Sequence, residues 1–256
     1  MAIPSVRVRV SGELACFTRP EAKVERFTYP VMTPSAARNI LDAICWRPQM
    51  RWIVTSISVL KPIRLMSVLR NEVQSKLSPV AIKKWMRDAS AFEPLIAGAG
   101  NGTDGTPRNT TLLRDVAYWI DAYPHVFVTK DTRREADRIS NAGRGEEDLE
   151  TAEDNTPNKY VAMFERRVRK GQCYQRPYLG CREFAADFGL PREDDRPIPD
   201  SMEIGRILYD IAFLADGNHA AFFEARLKNG VMETRPETAL IDEGKRQEVL
   251  ECSYRR

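Results

Sequence analysis

The residues best suited to chemistry gather at one place, where Thr156 and Pro157 precede Lys159 and a basic run follows. A threonine followed by proline marks a helix start: the hydroxyl caps the first turn, and proline sits where a missing N–H costs nothing. This puts Lys159 at the third helical position, beside unpaired backbone N–H groups and the positive end of the helix dipole. Such a place favours a phosphate. A lysine solvated at a helix end is the plainer alternative. From Lys159 to Gly171 the sequence KYVAMFERRVRKG holds five basic side chains against one acid. The whole chain, with 39 Lys and Arg against 36 Asp and Glu, is nearly neutral, so the run can attract a polyanion only locally.

Other chemistries are poorly supplied. There are two histidines, His125 and His219, and five cysteines at 16, 45, 173, 181 and 252. No pair has C-x-x-C spacing, and CYQRPYLGC matches no common zinc pattern. The thiols therefore read as free and mostly buried, His125 as a strand residue, and neither metal nor other cofactor is expected. The glycine-rich GAGNGTDGTP lacks the lysine and the strand–loop–helix setting of a phosphate loop. No apolar run reaches the roughly 20 residues needed to cross a bilayer, and MAIPSVRVRV lacks a signal peptide's apolar segment. The expectation is a cytoplasmic protein with no membrane contact.

The elements that must position Lys159 follow from periodicity. Residues 5–17 alternate Val with Arg, a half-buried strand. Thr33 and Pro34 open a helix over 34–45 with Ala36, Ala37, Ile40, Leu41 and Ile44 on one face, ended by Pro48. Residues 51–61 form a second strand, and 63–75 a bent or edge continuation. Residues 111–129 form a long strand, and 157–170 a helix with an apolar stripe of Val161, Phe164 and Val168. A strand over 172–184 closes the set. The order is that of a split β-α-β unit, so an α+β, ferredoxin-like core is expected over 1–185, with inserted loops at about 76–110 and 131–155. Residues 186–236 are expected to form a small mostly-β C-terminal appendage, and 237–256 a flexible tail.

Five segments carry a resemblance: ELACFTRPEAKVER (13–26), TPSAARNILDAICWRP (33–48), RNEV (70–73), LLRDVAYWIDA (112–122) and GQCYQRPYLGCREF (171–184). In this order they resemble the fifth family of CRISPR-associated Cascade proteins, subtype I-C. The resemblance implies an RNA-recognition-motif-like fold at the foot of the Cascade. It implies a grip on the 5′ handle of the guide RNA, contacts with the backbone and large subunits, and target DNA met through the complex. In this subtype the protein is also similar to the nuclease that cuts precursor CRISPR RNA within each repeat.

Metal-free cleavage of that kind uses the neighbouring 2′-hydroxyl as nucleophile and leaves a 2′,3′-cyclic phosphate. The protein must orient the hydroxyl, stabilise added negative charge and assist proton transfer. Lys159 matches the family's catalytic lysine. Tyr160 stands where active members often carry histidine, and Cys45 where they carry tyrosine before a Trp-Lys/Arg-Pro motif, here Trp46-Arg47-Pro48. A phenol, with an ordinary pKa of about 10, is a poor base near neutrality, and a thiol is a weak donor. The expected catalytic set is Lys159, Tyr160 and Cys45 in one cleft. Lys23, Arg26, Arg70, Arg108, Arg166, Arg167 and Arg182 are the candidates for the RNA backbone, and Tyr174 and Tyr178 for stacking on unpaired bases. The two departures leave a second reading open, an RNA-holding subunit without cleavage. A small-molecule enzyme would need a histidine or carboxylate cluster that the sequence does not show.

Overall fold

Valine and arginine alternate along β1 (Val6–Ala15), and the two residue types part company in space. In the computed structural model, which describes residues 3–22, 25–73, 75–93, 96, 98, 104–127, 155–214 and 217–251, Val6, Val8 and Val10 are at most 4% exposed. Arg7 and Arg9 take the opposite face, paired with Asp121 at 2.6 Å and Asp195 at 3.0 Å. This is the period-two pattern of a strand with one face on a core.

The strand β1 lies antiparallel to the longest strand, β5 (Gly105–Val126), in register from Val6 opposite Ala122 to Ala15 opposite Leu113. The other edge of β5 pairs antiparallel with β3 (Met50–Val59), every residue of which is buried. Short strands β6 (Asp187–Gly189) and β9 (Val231–Glu233) close the edges, giving the order β6-β1-β5-β3-β9. Before Leu113, β5 leaves the sheet as a ribbon with β4 (Leu65–Val73), and β2 (Arg26–Phe27) runs parallel to it at Thr110 and Thr111. The fold is thus a mixed one, a large and predominantly antiparallel sheet with few helices.

Helix α1 (Pro34–Ile44) packs on β3, and α3 (Pro157–Arg169) on β1 and β5. Both open as the cap-plus-proline signal requires: Thr33 accepts from the Ala36 N–H at 3.3 Å and Thr156 from the Lys159 N–H at 3.4 Å. The stripe that α3 buries runs through Tyr160, Phe164 and Val168, at i, i+4 and i+8, rather than through Val161. Phe164 sets that rotation by meeting Trp52 of β3 edge-on, with ring centroids 4.9 Å apart. The Trp52 indole N–H donates to the Cys45 carbonyl at the end of α1, 2.8 Å away, so one side chain ties β3 to both helices.

Four expectations differ from the structure. Within 76–110, helix α2 (Pro79–Arg87) follows a Ser78 cap, a 3₁₀ turn spans Ala89–Ala91, and β5 already begins at Gly105. The α2 start carries the same cap-plus-proline signal as the others, but none of its residues is buried. Residues 172–184 are not a strand. Gly171 and Gly180 have positive φ, Pro177 interrupts the stretch, and the edge strand comes later, at β6. The stretch 186–236 does not stand apart as an appendage, because β6 pairs with β1 and β9 with β3. Finally, the expected flexible tail holds α4 (Pro236–Ala239) and α5 (Glu243–Glu251), with Leu240 and Val249 buried. The expected loop at 131–155 lies outside the described residues except for Asn155. No described helix is long and apolar enough to cross a membrane.

The hairpin of β7 (Met202–Leu214) and β8 (Gly217–Leu227) is held to the rest through Asp210. Its buried carboxylate accepts two bonds from Arg38 of α1, both 2.9 Å, and one from Arg51 of β3 at 2.6 Å. Burial pushes this carboxyl up, but the Arg38 and Arg51 charges outweigh burial and hold it below the usual carboxylate range. Its stabilising contribution is therefore complete above an unfolded value of about 3.9 and is lost as pH falls toward the depressed folded value. Asp210→Ala leaves the Asp42 carboxylate, paired to Arg38 at 3.0 Å, to balance the two interior charges of Arg38 and Arg51. It is expected to cost about 3–5 kcal/mol, read as a lower urea midpoint with an unchanged slope.

Candidate functional site

The start of α3 provides one part of a site. Lys159 is half-buried at the third helical position, one residue before Tyr160, which is wholly buried. The Tyr160 hydroxyl donates to Asn155 Oδ1 at 2.8 Å, tying the helix start to the residue before its cap. Cys45 is also wholly buried, in the cap position after α1. Burial pushes its thiol up, against the lowering influence of the Arg167, Arg47 and Arg166 charges. The expectation of one cleft lined by Lys159, Tyr160 and Cys45 is therefore corrected. Two of the three side chains pack in the core, and only Lys159 reaches the surface. A phenol and a thiol are apolar enough to be buried in a way that a charged imidazole is not.

The RNA-backbone candidates separate into groups. Lys23 lies outside the described residues. Arg26 and Arg70 are bound up with two glutamates: Arg26 with Glu183 at 2.8 Å and Glu72 at 3.4 Å, and Arg70 with Glu183 at 3.0 Å and Glu72 at 2.5 Å. Burial raises the Glu183 carboxyl, but its own backbone N–H and the Arg26 charge prevail and hold it down. Two positive and two negative charges thus cancel locally, which weakens the case for either arginine as a phosphate anchor. Arg108 stands opposite Arg70 in the β4–β5 ribbon. Arg167 donates to the Ile44 carbonyl at 2.7 Å, a structural use. Arg166 and Arg182 are exposed. Tyr174 is 72% exposed, whereas Tyr178 is half-buried in an isolated bridge to Ala185.

A second grouping, at the C-terminal end of α1, was not foreseen as a whole. The Tyr174 and Gln175 N–H groups both donate to the Ala43 carbonyl, at 2.8 and 3.3 Å, so the 172–178 loop folds over that helix end. Trp46, which follows at once, is 48% exposed. Arg47, Arg166 and Arg167 act on the intervening Cys45, and α3 ends in Arg166, Arg167 and Arg169. Exposed aromatic rings among guanidinium groups suit unpaired bases, which stack on the rings while cations meet the backbone. The sequence shows Trp46 only as part of a motif, since exposure of one aromatic depends on contacts made far along the chain.

Among the described residues no group of three or more His, Cys, Asp and Glu side chains could hold a metal ion. A cleft of about 280 Å³ lined by His125, Phe127, Glu243, Arg246, Gln247 and Leu250 contains none of the candidate residues. Its Arg246 is turned to the Pro236, Glu237 and Leu240 carbonyls, and burial followed by the Arg51 charge lowers its histidine.

Known proteins resemble this chain in sequence and in fold. Residues 5–234 match the family described as CRISPR-associated protein (Cas_Cas5). Over 239 residues, covering 90% of this chain and 95% of the relative, the chain is 41% identical to a protein of Mannheimia succiniciproducens named CRISPR pre-crRNA endoribonuclease Cas5d. It is 35% identical to the Thermus thermophilus protein of the same name, with 91% of this chain and 92% of that one covered. A solved structure described as a CRISPR-associated protein shares its fold, with a TM-score of 0.58 at 22% identity over 93% of this chain and 96% of that one. The chain belongs to the Cas5 family of CRISPR-associated proteins, in its Cas5d branch, the subtype I-C form.

If Tyr160 serves packing, Tyr160→Phe removes its bond to Asn155 and is expected to cost about 0.5–1.5 kcal/mol. Urea unfolding measures this. Unchanged stability combined with lost activity would return Tyr160 to the chemistry.

Proposed function

We propose that this chain is a Cascade subunit that binds the 5′ handle of the guide RNA and cleaves precursor CRISPR RNA in its repeat by metal-independent attack of a 2′-hydroxyl. The curated relatives, named pre-crRNA endoribonucleases, support the reaction class. The observation that carries the mechanism is the seat of Lys159, a cation at a capped helix N-terminus. Backbone N–H groups and the ammonium can together meet the scissile phosphate where charge develops, the kind of preorganised stabilisation that lowers a barrier most. Trp46 and Tyr174 would stack on unpaired bases, with Arg108, Arg166, Arg182 and Lys23 along the backbone. Tyr160 and Cys45 would act by holding the helices that carry this surface.

The ferredoxin-like reading of the core belongs to the same proposal. It is supported by the order β6-β1-β5-β3, with α1 linking β1 to β3 and α3 linking β5 to β6. The β4–α2 arm, with Leu69, Val80 and Met86 exposed, is a surface for the backbone and large subunits, and target DNA is met through the assembled complex. A second reading, an RNA-holding subunit that does not cut, draws support from the burial of Tyr160 and Cys45.

The deciding test incubates the purified protein with its own repeat hairpin in the presence of a chelator. Cleavage is expected to persist and to leave a 2′,3′-cyclic phosphate. Lys159→Ala is expected to slow it about a hundred- to a thousandfold while affinity changes little. Binding is expected to weaken steeply with salt as counterions are released. Salt-dependent binding without cleavage would favour the second reading, and loss of cleavage with the metal would exclude the 2′-hydroxyl mechanism. Separately, Trp46→Ala is expected to weaken binding of the unpaired handle by about 1–3 kcal/mol in a titration at fixed salt.

A further inference from the structure

Two thiols far apart in sequence meet beside the arginine–glutamate network. Cys16 follows β1, and Cys181 lies in the turn-rich stretch 171–184, 165 positions later. The Cys16 N–H donates to the Leu179 carbonyl at 3.0 Å, and the Cys181 thiol donates to the Cys16 carbonyl at 3.6 Å. Gly180 between them has φ of +85°, and a Cβ there would sit 2.0 Å from the Cys16 oxygen. Only glycine permits this approach, so residues 179–181 are fixed against the end of β1. The Cys16 thiol donates to the Thr111 carbonyl at 3.8 Å, and each thiol acts on the titration of the other. They are unequal partners, because Cys16 is wholly buried and Cys181 half-buried with access to solvent.

We propose that Cys16 and Cys181 form a peroxide-reactive thiol pair that closes to a disulfide. In the first step the Cys181 thiolate attacks one oxygen of hydrogen peroxide. The O–O bond breaks, hydroxide leaves and takes up a proton, and Cys181 becomes a sulfenic acid. In the second step the Cys16 sulfur attacks that sulfenic sulfur, loses its proton, and water departs. Two thiols and one peroxide give one disulfide and two waters.

The electrostatics suit these unequal roles. The neighbouring Cys16 is the largest influence lowering the Cys181 thiol, and Arg26 adds to it. Burial and Glu183 oppose them, and the balance brings Cys181 down to about 7. Cys16 is pushed far upward by Cys181 in turn and by burial, despite the Arg26 and Arg70 charges. The half-buried thiol is thus the ready nucleophile and the wholly buried one a reserve that reacts only once its neighbour is oxidised. Arg26, Arg70, Glu72 and Glu183 are the charged groups around the pair, and closure would fasten 171–184 covalently to the sheet.

Treating the full chain with hydrogen peroxide and mapping the peptides by mass spectrometry tests the pairing. A 16–181 disulfide is expected. In Cys16→Ala the reaction is expected to stop at a dimedone-trappable sulfenic acid on Cys181, and in Cys181→Ser Cys16 is expected to stay a thiol. Alkylation of Cys181 against pH is expected to be half-maximal near 7, with a higher midpoint in Cys16→Ala. The proposal is overturned if Cys16 and Cys181 remain thiols while the exposed Cys173 oxidises, or if Cys181 pairs with Cys173. An alkylation midpoint that Cys16→Ala leaves in place overturns it too.

Discussion

One indole N–H organises the helix face of this protein. Trp52 is wholly buried in β3, donates to the Cys45 carbonyl where α1 ends, and meets the Phe164 ring of α3 edge-on. A buried tryptophan must satisfy its N–H, and here the acceptor is a carbonyl left over at a helix terminus. The contact thereby fixes the rotation of α3. Tyr160 lies one turn before Phe164 on the same stripe and turns inward, while Lys159, about 100° round the helix, is left at the margin. The seat of the proposed phosphate contact is a consequence of core packing about one and a half turns away.

The same packing explains the two departures from the family pattern. A histidine after the lysine would have to keep its polar nitrogens satisfied in a buried position, whereas tyrosine has one hydroxyl and spends it on Asn155. A tyrosine before Trp46 would need more room than the Cys45 thiol, which is part of the core beside Arg167. With Tyr160 and Cys45 both packed, the proposed chemistry falls to the charge of Lys159. This packing also separates arginines that serve the fold from those that face outward. Arg38, Arg51 and Arg167 hold carboxylates or carbonyls, Arg26 and Arg70 are balanced by Glu72 and Glu183, and Arg166 and Arg182 remain exposed.

What the sequence disclosed follows the range of the forces involved. The alternation in β1 and the Thr-Pro starts of α1 and α3 are local signals, and these elements lie within a few residues of expectation. So does the third-position seat of Lys159. The first five residues of β5, Gly105–Asn109, are not buried and so carry no apolar period. The closing strand failed because Gly180 is needed for a close approach to Cys16, a contact between segments far apart in the chain. The stripe of α3 was ambiguous, since Tyr160 and Val161 both fit beside Phe164, and only Trp52 decides between them. Likewise nothing near Arg26 in sequence announces Glu183, 157 positions away.

The central claim is that Lys159 acts on the phosphate while Tyr160 and Cys45 hold the scaffold. Single-turnover cleavage of one repeat hairpin, measured side by side for Lys159→Ala, Tyr160→Phe and Cys45→Ala at a temperature where all three are folded, tests it most directly. The account predicts a large rate loss for the lysine variant alone, with the other two close to wild type. A tyrosine or cysteine variant as slow as the lysine variant would contradict it.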